Sequence, residues 1–157
     1  MLTNYTNAPW LRLYGRRLSA VVCSADNPNI GTWKLNEAKS HFGKGASKNN
    51  TVVIEAAGDN IKVTVDGTDG SGNPAHNEWT GKFNGRYYAV TGNPTSDKRS
   101  YRPINSHTQA LAEKKSGKVV VTGRIVVSRD GKTRTVTTTS KNASGKWITN
   151  TAVYDKQ

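Results

Sequence analysis

The sequence predicts an all-β fold: a closed antiparallel up-and-down β-barrel of about eight to ten strands with an N-terminal helical appendage. From residue 31 onward, Val, Thr, Tyr and Trp recur with polar residues between them, at the period of half-buried strands. Turn-forming residues interrupt this pattern at regular intervals. A chain of 157 residues supports one core, so we expect a barrel domain over residues 31–157 and an appendage over residues 1–30.

The appendage has two interpretations. Residues 9–22 carry apolar residues at steps of three and four, which is typical of an amphipathic helix: Trp10, Tyr14, Leu18 and Val21. Alternatively, residues 16–25 combine two arginines, a short apolar run and small residues, as a defective export signal does. An export signal would make the protein periplasmic or secreted, and without one we expect it in the cytoplasm.

Ten strands follow in order, each bounded by turn chemistry. The strongest hairpin signal is Asn84-Gly85, because both central positions of a type I′ turn need positive φ. We expect it to join residues 77–83 to residues 86–91, and we expect a longer loop over residues 67–74. The predicted strands are residues 31–35, 51–56, 61–65, 77–83, 86–91, 98–104, 107–114, 118–128, 132–140 and 146–155.

We expect the sheet to close into a barrel, because an open sheet would expose unpaired edge strands. A flat sheet of amphipathic strands leaves two unpaired edges and half of its apolar surface in water. A barrel of eight to ten strands removes both, and its interior holds side chains and one small ligand. A sandwich with a fully packed core is the alternative that the pattern leaves open.

Two short segments carry a family resemblance. Gly31-Thr32-Trp33-Lys34-Leu35 resembles the opening strand of the calycin group, the lipocalin-like and fatty-acid-binding-protein-like barrels. Ala152-Val153-Tyr154-Asp155-Lys156 resembles their closing strand. The resemblance implies a ligand-holding barrel over residues 31–157. The opening strand is also similar to that of small bacterial lipocalin-like proteins of uncertain function.

The chain departs from the fatty-acid-binding pattern in two places. Residues 36–50 leave room for a single short helix or a loop, where that family has a helix-turn-helix lid. Ala152 stands where the family has its carboxylate-binding arginine, which argues against the same charge clamp.

The first functional hypothesis is binding of a small hydrophobic or amphipathic molecule inside the barrel. Aromatic side chains on the inward face supply apolar area with a polar tip. Arg99 and Arg124 could neutralise a ligand anion or a buried carboxylate. The alternative is that each of these aromatic residues is a structural core residue that contacts no ligand. We expect Trp33 to plug the closed end of the barrel. The candidate aromatic ligands are Trp79, Phe83, Tyr88, Tyr101 and Tyr154.

The second hypothesis is an enzyme, a hydrolase (possibly a glycoside hydrolase) or an isomerase, that uses Glu78, Asp66 or His76 as acid or base. Strand carboxylates, including Glu113, are usually outward partners of cross-strand Lys or Arg. If Trp79 points inward, His76 and Glu78 face water.

We predict no metal site and no cofactor. The histidines His41, His76 and His107 are too far apart in sequence for a local ligand motif, and Cys23 is the single cysteine. The sequence has no Walker loop and no dinucleotide fingerprint.

The third hypothesis follows from charge. The net charge is +12, and basic residues occur in nearly every predicted turn. Such a field favours an anionic ligand, surface or polymer such as nucleic acid. Scattered lysines are also what solvated sheet faces and edges require. No apolar stretch approaches the length of a bilayer-spanning helix, so we expect no stable membrane insertion.

Overall fold

The computed structural model describes residues 27–142 and residues 144–157. The predicted helix over residues 9–22 and the alternative export signal over residues 16–25 lie outside the described residues. The described part contains ten strands and one short 3-10 helix, Glu37–Lys39. The strands are β1 (Gly31–Leu35), β2 (Lys48–Ala57), β3 (Asn60–Thr68), β4 (Pro74–Gly81), β5 (Tyr88–Thr91), β6 (Lys98–Pro103), β7 (Thr108–Lys115), β8 (Lys118–Val127), β9 (Thr133–Lys141) and β10 (Trp147–Lys156).

The ten strands form one closed barrel. Each strand pairs antiparallel with the next along the chain, and β1 completes the ring by pairing with β10. At this closure Leu35 lies opposite Tyr154, and Trp33 lies opposite Lys156. The predicted closed antiparallel barrel is confirmed, and the sandwich alternative is wrong because the ring of paired strands is continuous.

Alternate side chains face the barrel interior, as the pleat of a strand requires. On β8, Ile125 and Val127 are buried, whereas the alternate residues Arg124 and Val126 are exposed. The same alternation places Trp33, Trp79, Tyr101 and Tyr154 inside. We call the end that contains Gly31 and Lys156 the lower end, and the opposite end the upper end.

Trp33 lies near the lower end of the barrel. It is fully buried, and its Nε1 donates a hydrogen bond to the carbonyl oxygen of Asn29 at 2.8 Å. Asn29 is itself buried. The indole therefore anchors the chain segment that enters β1.

The predicted hairpin at Asn84-Gly85 is wrong in detail. Residues 82–87 lie between β4 and β5, outside both strands, and Gly85 has positive φ while Asn84 does not. The chain is held there by another contact, because Gly85 N donates to the carbonyl oxygen of Tyr101 at 2.9 Å. Two consecutive positive φ values occur instead at Ser116 and Gly117, which join β7 directly to β8.

The predicted loop over residues 67–74 is shorter than expected. Pairing of β3 with β4 continues as far as Thr68 and Pro74, which leaves residues 69–73 as the connection. Asp69 holds this connection, because its Oδ1 accepts from the backbone N of Ser71 and Asn73. These hydrogen bonds lower the pKa of the Asp69 carboxyl.

The β1–β2 connection contains a single short helix, in agreement with the length argument. Asn36 caps it by accepting a hydrogen bond from Lys39 N, and His41 then resumes pairing with Thr151 of β10. In the part of the chain that the structure describes, no helix is long and apolar enough to cross a membrane.

Gly81 makes room for the Tyr88 ring, since a Cβ at this position would overlap that ring. We expect Gly81→Ala to destabilise the protein by about 1–3 kcal/mol, because the barrel would have to shift around an overpacked aromatic. Gly43→Ala is the matched control, because its Cβ would lie 3.4 Å from Ile148 in ordinary contact. Urea unfolding of both variants measures the difference. Equal midpoints would show that the Tyr88 contact does not restrict residue 81.

Candidate ligand site in the barrel interior

An aromatic cluster fills part of the interior. Trp79 is its centre, with ring-centroid distances of 5.9 Å to Phe83, 5.7 Å to Tyr88 and 4.8 Å to Tyr101. Its Nε1 donates to the carbonyl oxygen of Arg99 at 3.0 Å, so the buried indole is satisfied. Four of the five predicted aromatic ligands therefore pack against one another and form one wall of the interior.

Arg99 and Glu113 form a buried ion pair beside this cluster. They lie directly opposite each other on β6 and β7, and Arg99 Nε donates to Glu113 Oε1 at 2.6 Å. Arg99 Nη2 also donates to Asn77 Oδ1 at 3.2 Å. Burial acts to lower the pKa of the Arg99 guanidinium, but Tyr101 and Glu113 outweigh it, so the pKa is raised.

The Arg99–Glu113 pair differs from the sequence prediction in the direction of Glu113 and agrees with it in the choice of partner. Glu113 faces inward, and the expectation that strand carboxylates point to water is wrong for it. Its partner is nevertheless the cross-strand arginine, as sheet pairing favours. The Arg99 side chain thus lies against a buried carboxylate, one of the two roles that its sequence position suggested.

Arg134 is a second interior arginine, and sequence reasoning missed it. It lies opposite Tyr154 on the β9–β10 pair and is 4% exposed. Its guanidinium carbon is 5.9 Å from the centre of the Tyr154 ring. Within residues 27–142 and 144–157, no carboxylate pairs with Arg134, and its buried Nε has no hydrogen-bond partner.

Burial dominates the electrostatics around Arg134. Desolvation lowers the pKa of its guanidinium, and the like charge of Arg99 acts in the same direction. The neighbouring Tyr101 and Tyr154 oppose this shift. Burial also raises the pKa of Tyr154 to about 12, so that its hydroxyl is neutral at physiological pH.

The interior becomes less buried toward the upper end. On β9, Arg134 is buried, whereas Val136 and Thr138 on the same inward face are half-buried. On β10, Tyr154 and Ala152 are buried, whereas the inward Asn150 and Ile148 are half-buried. On β9 and β10, inward positions are therefore more accessible to solvent toward the upper end than near the lower end.

The β1–β2 connection lies across part of this upper end. Phe42 packs against the core, and Gly43 N donates to the inward Asn150 Oδ1 at 2.8 Å. The backbone at Gly45 contacts Gly70 in the β3–β4 connection. The segment 41–46 thus spans from β10 to the β3–β4 connection and partly covers the upper opening.

Arg124 lies outside the barrel, because Ile125 takes the inward position on β8. The expectation that Arg124 belongs with the interior residues is therefore corrected. It borders a shallow outer groove of about 440 Å³ between β8 and β9. The other side chains around this groove are Thr122, Val126, Thr135, Thr137 and Thr139.

The three predicted acid-base candidates meet on the outer face of β3 and β4. His76 Nδ1 lies 2.6 Å from Asp66 Oδ1, and His76 Nε2 lies 3.5 Å from Glu78 Oε1. Lys62 Nζ also approaches Glu78 at 3.3 Å. The side chains of Asp66, His76 and Glu78 are 59%, 54% and 41% exposed. The inference that His76 and Glu78 face water when Trp79 points inward is confirmed.

Neither metal geometry nor sequence comparison assigns a function. Over the described residues, no three His, Cys, Asp or Glu side chains are arranged to hold a metal ion. No known protein family matches the chain, and no curated protein matches it. The structure defines the class of protein at the level of fold: a closed ten-stranded antiparallel β-barrel, consistent with a calycin-like fold.

Loss of the Glu113 charge should destabilise the folded protein. We expect Glu113→Gln to reduce the free energy of unfolding by about 3–5 kcal/mol, because it leaves the buried Arg99 without its counter-charge. Glu78→Gln serves as the control, since Glu78 is on the exposed outer face and such pairs contribute less than about 1 kcal/mol. Urea unfolding compares the two. Similar losses in both variants would contradict a special role for the buried pair.

His76 should titrate above its ordinary value of 6.5, because the hydrogen bond that its Nδ1 donates to the Asp66 carboxylate raises its pKa. This contact stabilises the fold fully below the ordinary pKa, and its contribution is lost as pH rises through the raised pKa. NMR titration of the imidazole tests this in the wild type and in Asp66→Asn. We expect the variant to show a lower His76 pKa, and an unchanged value would refute the assignment to Asp66.

Proposed function

We propose that the protein binds one small apolar or amphipathic molecule in the upper part of the barrel interior. The observation that carries the proposal is the change of inward positions on β9 and β10 from buried to half-buried. On these two strands, the inward side chains near the upper end are not fully packed by their neighbours, which supports a site for a small molecule there.

The surrounding groups favour a ligand with apolar and polar parts. Val136 and Ile148 offer apolar surface, while Thr138 and Asn150 offer polar groups on the inward face. A mostly apolar site with a few placed polar groups is the usual composition of small-molecule sites. The calycin-like resemblance of the opening and closing strands agrees with this reading.

Binding is favoured over catalysis by the placement of the acid-base candidates. Asp66, His76 and Glu78 lie on the exposed outer face, where water surrounds them and both imidazole nitrogens face carboxylates. General acid-base chemistry needs such groups within reach of a held substrate. The half-buried interior supplies a place to hold a molecule, and these three residues do not face it.

A pair of substitutions on one strand tests the site. Thr138 faces the interior, whereas Thr137 faces the outer groove. The probe is N-phenyl-1-naphthylamine, a neutral dye that becomes fluorescent in apolar surroundings. We expect Thr138→Phe to weaken binding about tenfold or more, because the ring would occupy the space that the dye needs.

Thr137→Phe is the matched control and should leave the affinity unchanged. Thermal unfolding of both variants checks that the barrel is intact. Loss of binding in Thr137→Phe alone would assign the site to the outer groove. No binding to the wild-type protein by this or other apolar dyes would overturn the proposed function.

A further inference from the structure

We propose that the bound molecule is an organic anion, and that Arg134 binds its charged head. This inference rests on the proposed interior site and gives it a ligand class. The chemistry is that of a single carboxylate or a similar oxyanion attached to an apolar body. The head would lie deep in the interior, beside Tyr101 and Tyr154, and the body would extend toward the upper opening.

The charges inside the barrel do not balance among the described residues. Three charged residues are buried there, Arg99, Arg134 and Glu113. Glu113 is paired with Arg99 at 2.6 Å, which leaves the guanidinium of Arg134 without a counter-charge. An arginine stays protonated in proteins, so it cannot escape the cost of burial by losing its proton.

The contacts that Arg134 does make compensate only part of that cost. The ring of Tyr154 offers a cation–π contact at 5.9 Å, at the outer limit of this interaction. Among residues 27–142 and 144–157 the buried Nε–H has no acceptor, and Arg99 adds a like charge nearby. Buried charges are normally paired, so a position of this kind is suited to a ligand anion.

The geometry around Arg134 suits an amphipathic anion. A guanidinium presents several N–H donors in a planar fork that matches a carboxylate. Val136 and Thr138 lie on the same inward face of β9, two and four residues closer to the upper opening, and both are half-buried. A molecule whose head contacts Arg134 would therefore place its body along these positions.

The upper rim of the barrel is basic at the same time. Five of the described strands have lysine as their terminal residue at this end: Lys48, Lys98, Lys115, Lys118 and Lys141. At the lower end, Lys156 is the one lysine among the strand termini. Positive charge around an opening raises the local concentration of anions and their rate of entry. Loops at the lower end also carry basic residues, so Arg134, and not the charge of the rim, determines the inferred ligand class.

The test compares two dyes with one scaffold. 1-Anilinonaphthalene-8-sulfonate is an anion, and N-phenyl-1-naphthylamine is the same molecule without the sulfonate. We expect the full-length wild type to bind the anion about tenfold or more tightly, as a charge-assisted hydrogen bond predicts. We expect Arg134→Met to abolish this preference, so that the dissociation constants of the two dyes become equal within about twofold.

Arg124→Met is the matched control, because it removes the same charge from the outer face of the neighbouring strand. It should preserve the preference for the anion. We also expect Arg134→Met to have an unchanged or higher melting temperature without ligand, because it removes an uncompensated buried charge. Arg134→Lys, which keeps the charge, provides a second variant if Arg134→Met fails to fold, and it should retain a weakened preference.

The outcomes separate this inference from the proposed function. If neither dye binds the wild type, the proposed function fails. If both dyes bind equally, or Arg134→Met and Arg124→Met lose the anion preference alike, the interior site can stand and the role of Arg134 is overturned. Asp26 is the one acidic residue outside the described ranges. Asp26→Asn tests whether this carboxylate is the counter-charge of Arg134. If the variant binds the anion more tightly than the wild type does, Asp26 competes with the anion for Arg134, and the inference is overturned.

Discussion

The pairing of β1 with β10 is the constraint on which the rest of the structure depends. It removes both edges of a ten-stranded sheet and turns alternate side chains of every strand into interior side chains. Without closure, Arg99, Glu113 and Arg134 would be exposed to water on one face of a sheet. With closure they are buried, and hydrogen bonding and charge pairing become decisive for them.

The interior combines two physically different regions. Around Trp79, aromatic rings contact one another and exclude water, as in an ordinary hydrophobic core. On β9 and β10, Arg134 is buried against Tyr154, and the inward side chains nearer the upper end are half-buried. An apolar residue at position 134 would avoid the desolvation of a guanidinium, so stability does not explain the arginine there. The proposed ligand anion would explain it, because the anion would supply the acceptor and counter-charge that the described residues do not provide.

Much of the fold could be predicted from the sequence, because local rules agreed with one another. Strand alternation, turn residues and the cost of open edges all indicate a barrel, and the same alternation predicted that His76 and Glu78 point outward if Trp79 points inward. The turn at Asn84-Gly85 was misread, because a long-range hydrogen bond to Tyr101 and the packing of Tyr88 against Gly81 override its local preference. Arg134 was missed because a charged residue in a threonine-rich strand reads as an outward one; its shared face with Val136 was the available signal.

The sequence alone predicts about ten strands, their order along the chain and which residues share one face of a strand, because these depend on the period of the strand and on the residues between strands. Closure of the barrel determines which face points inward and which charges meet. Arg99 and Glu113 are 14 residues apart and share a buried pair, Asp66 and His76 meet on the outside, and Arg134 faces Tyr154 across β9 and β10. These outcomes depend on the register between strands and on the closure of the ring, which fix distances between residues that no local pattern relates.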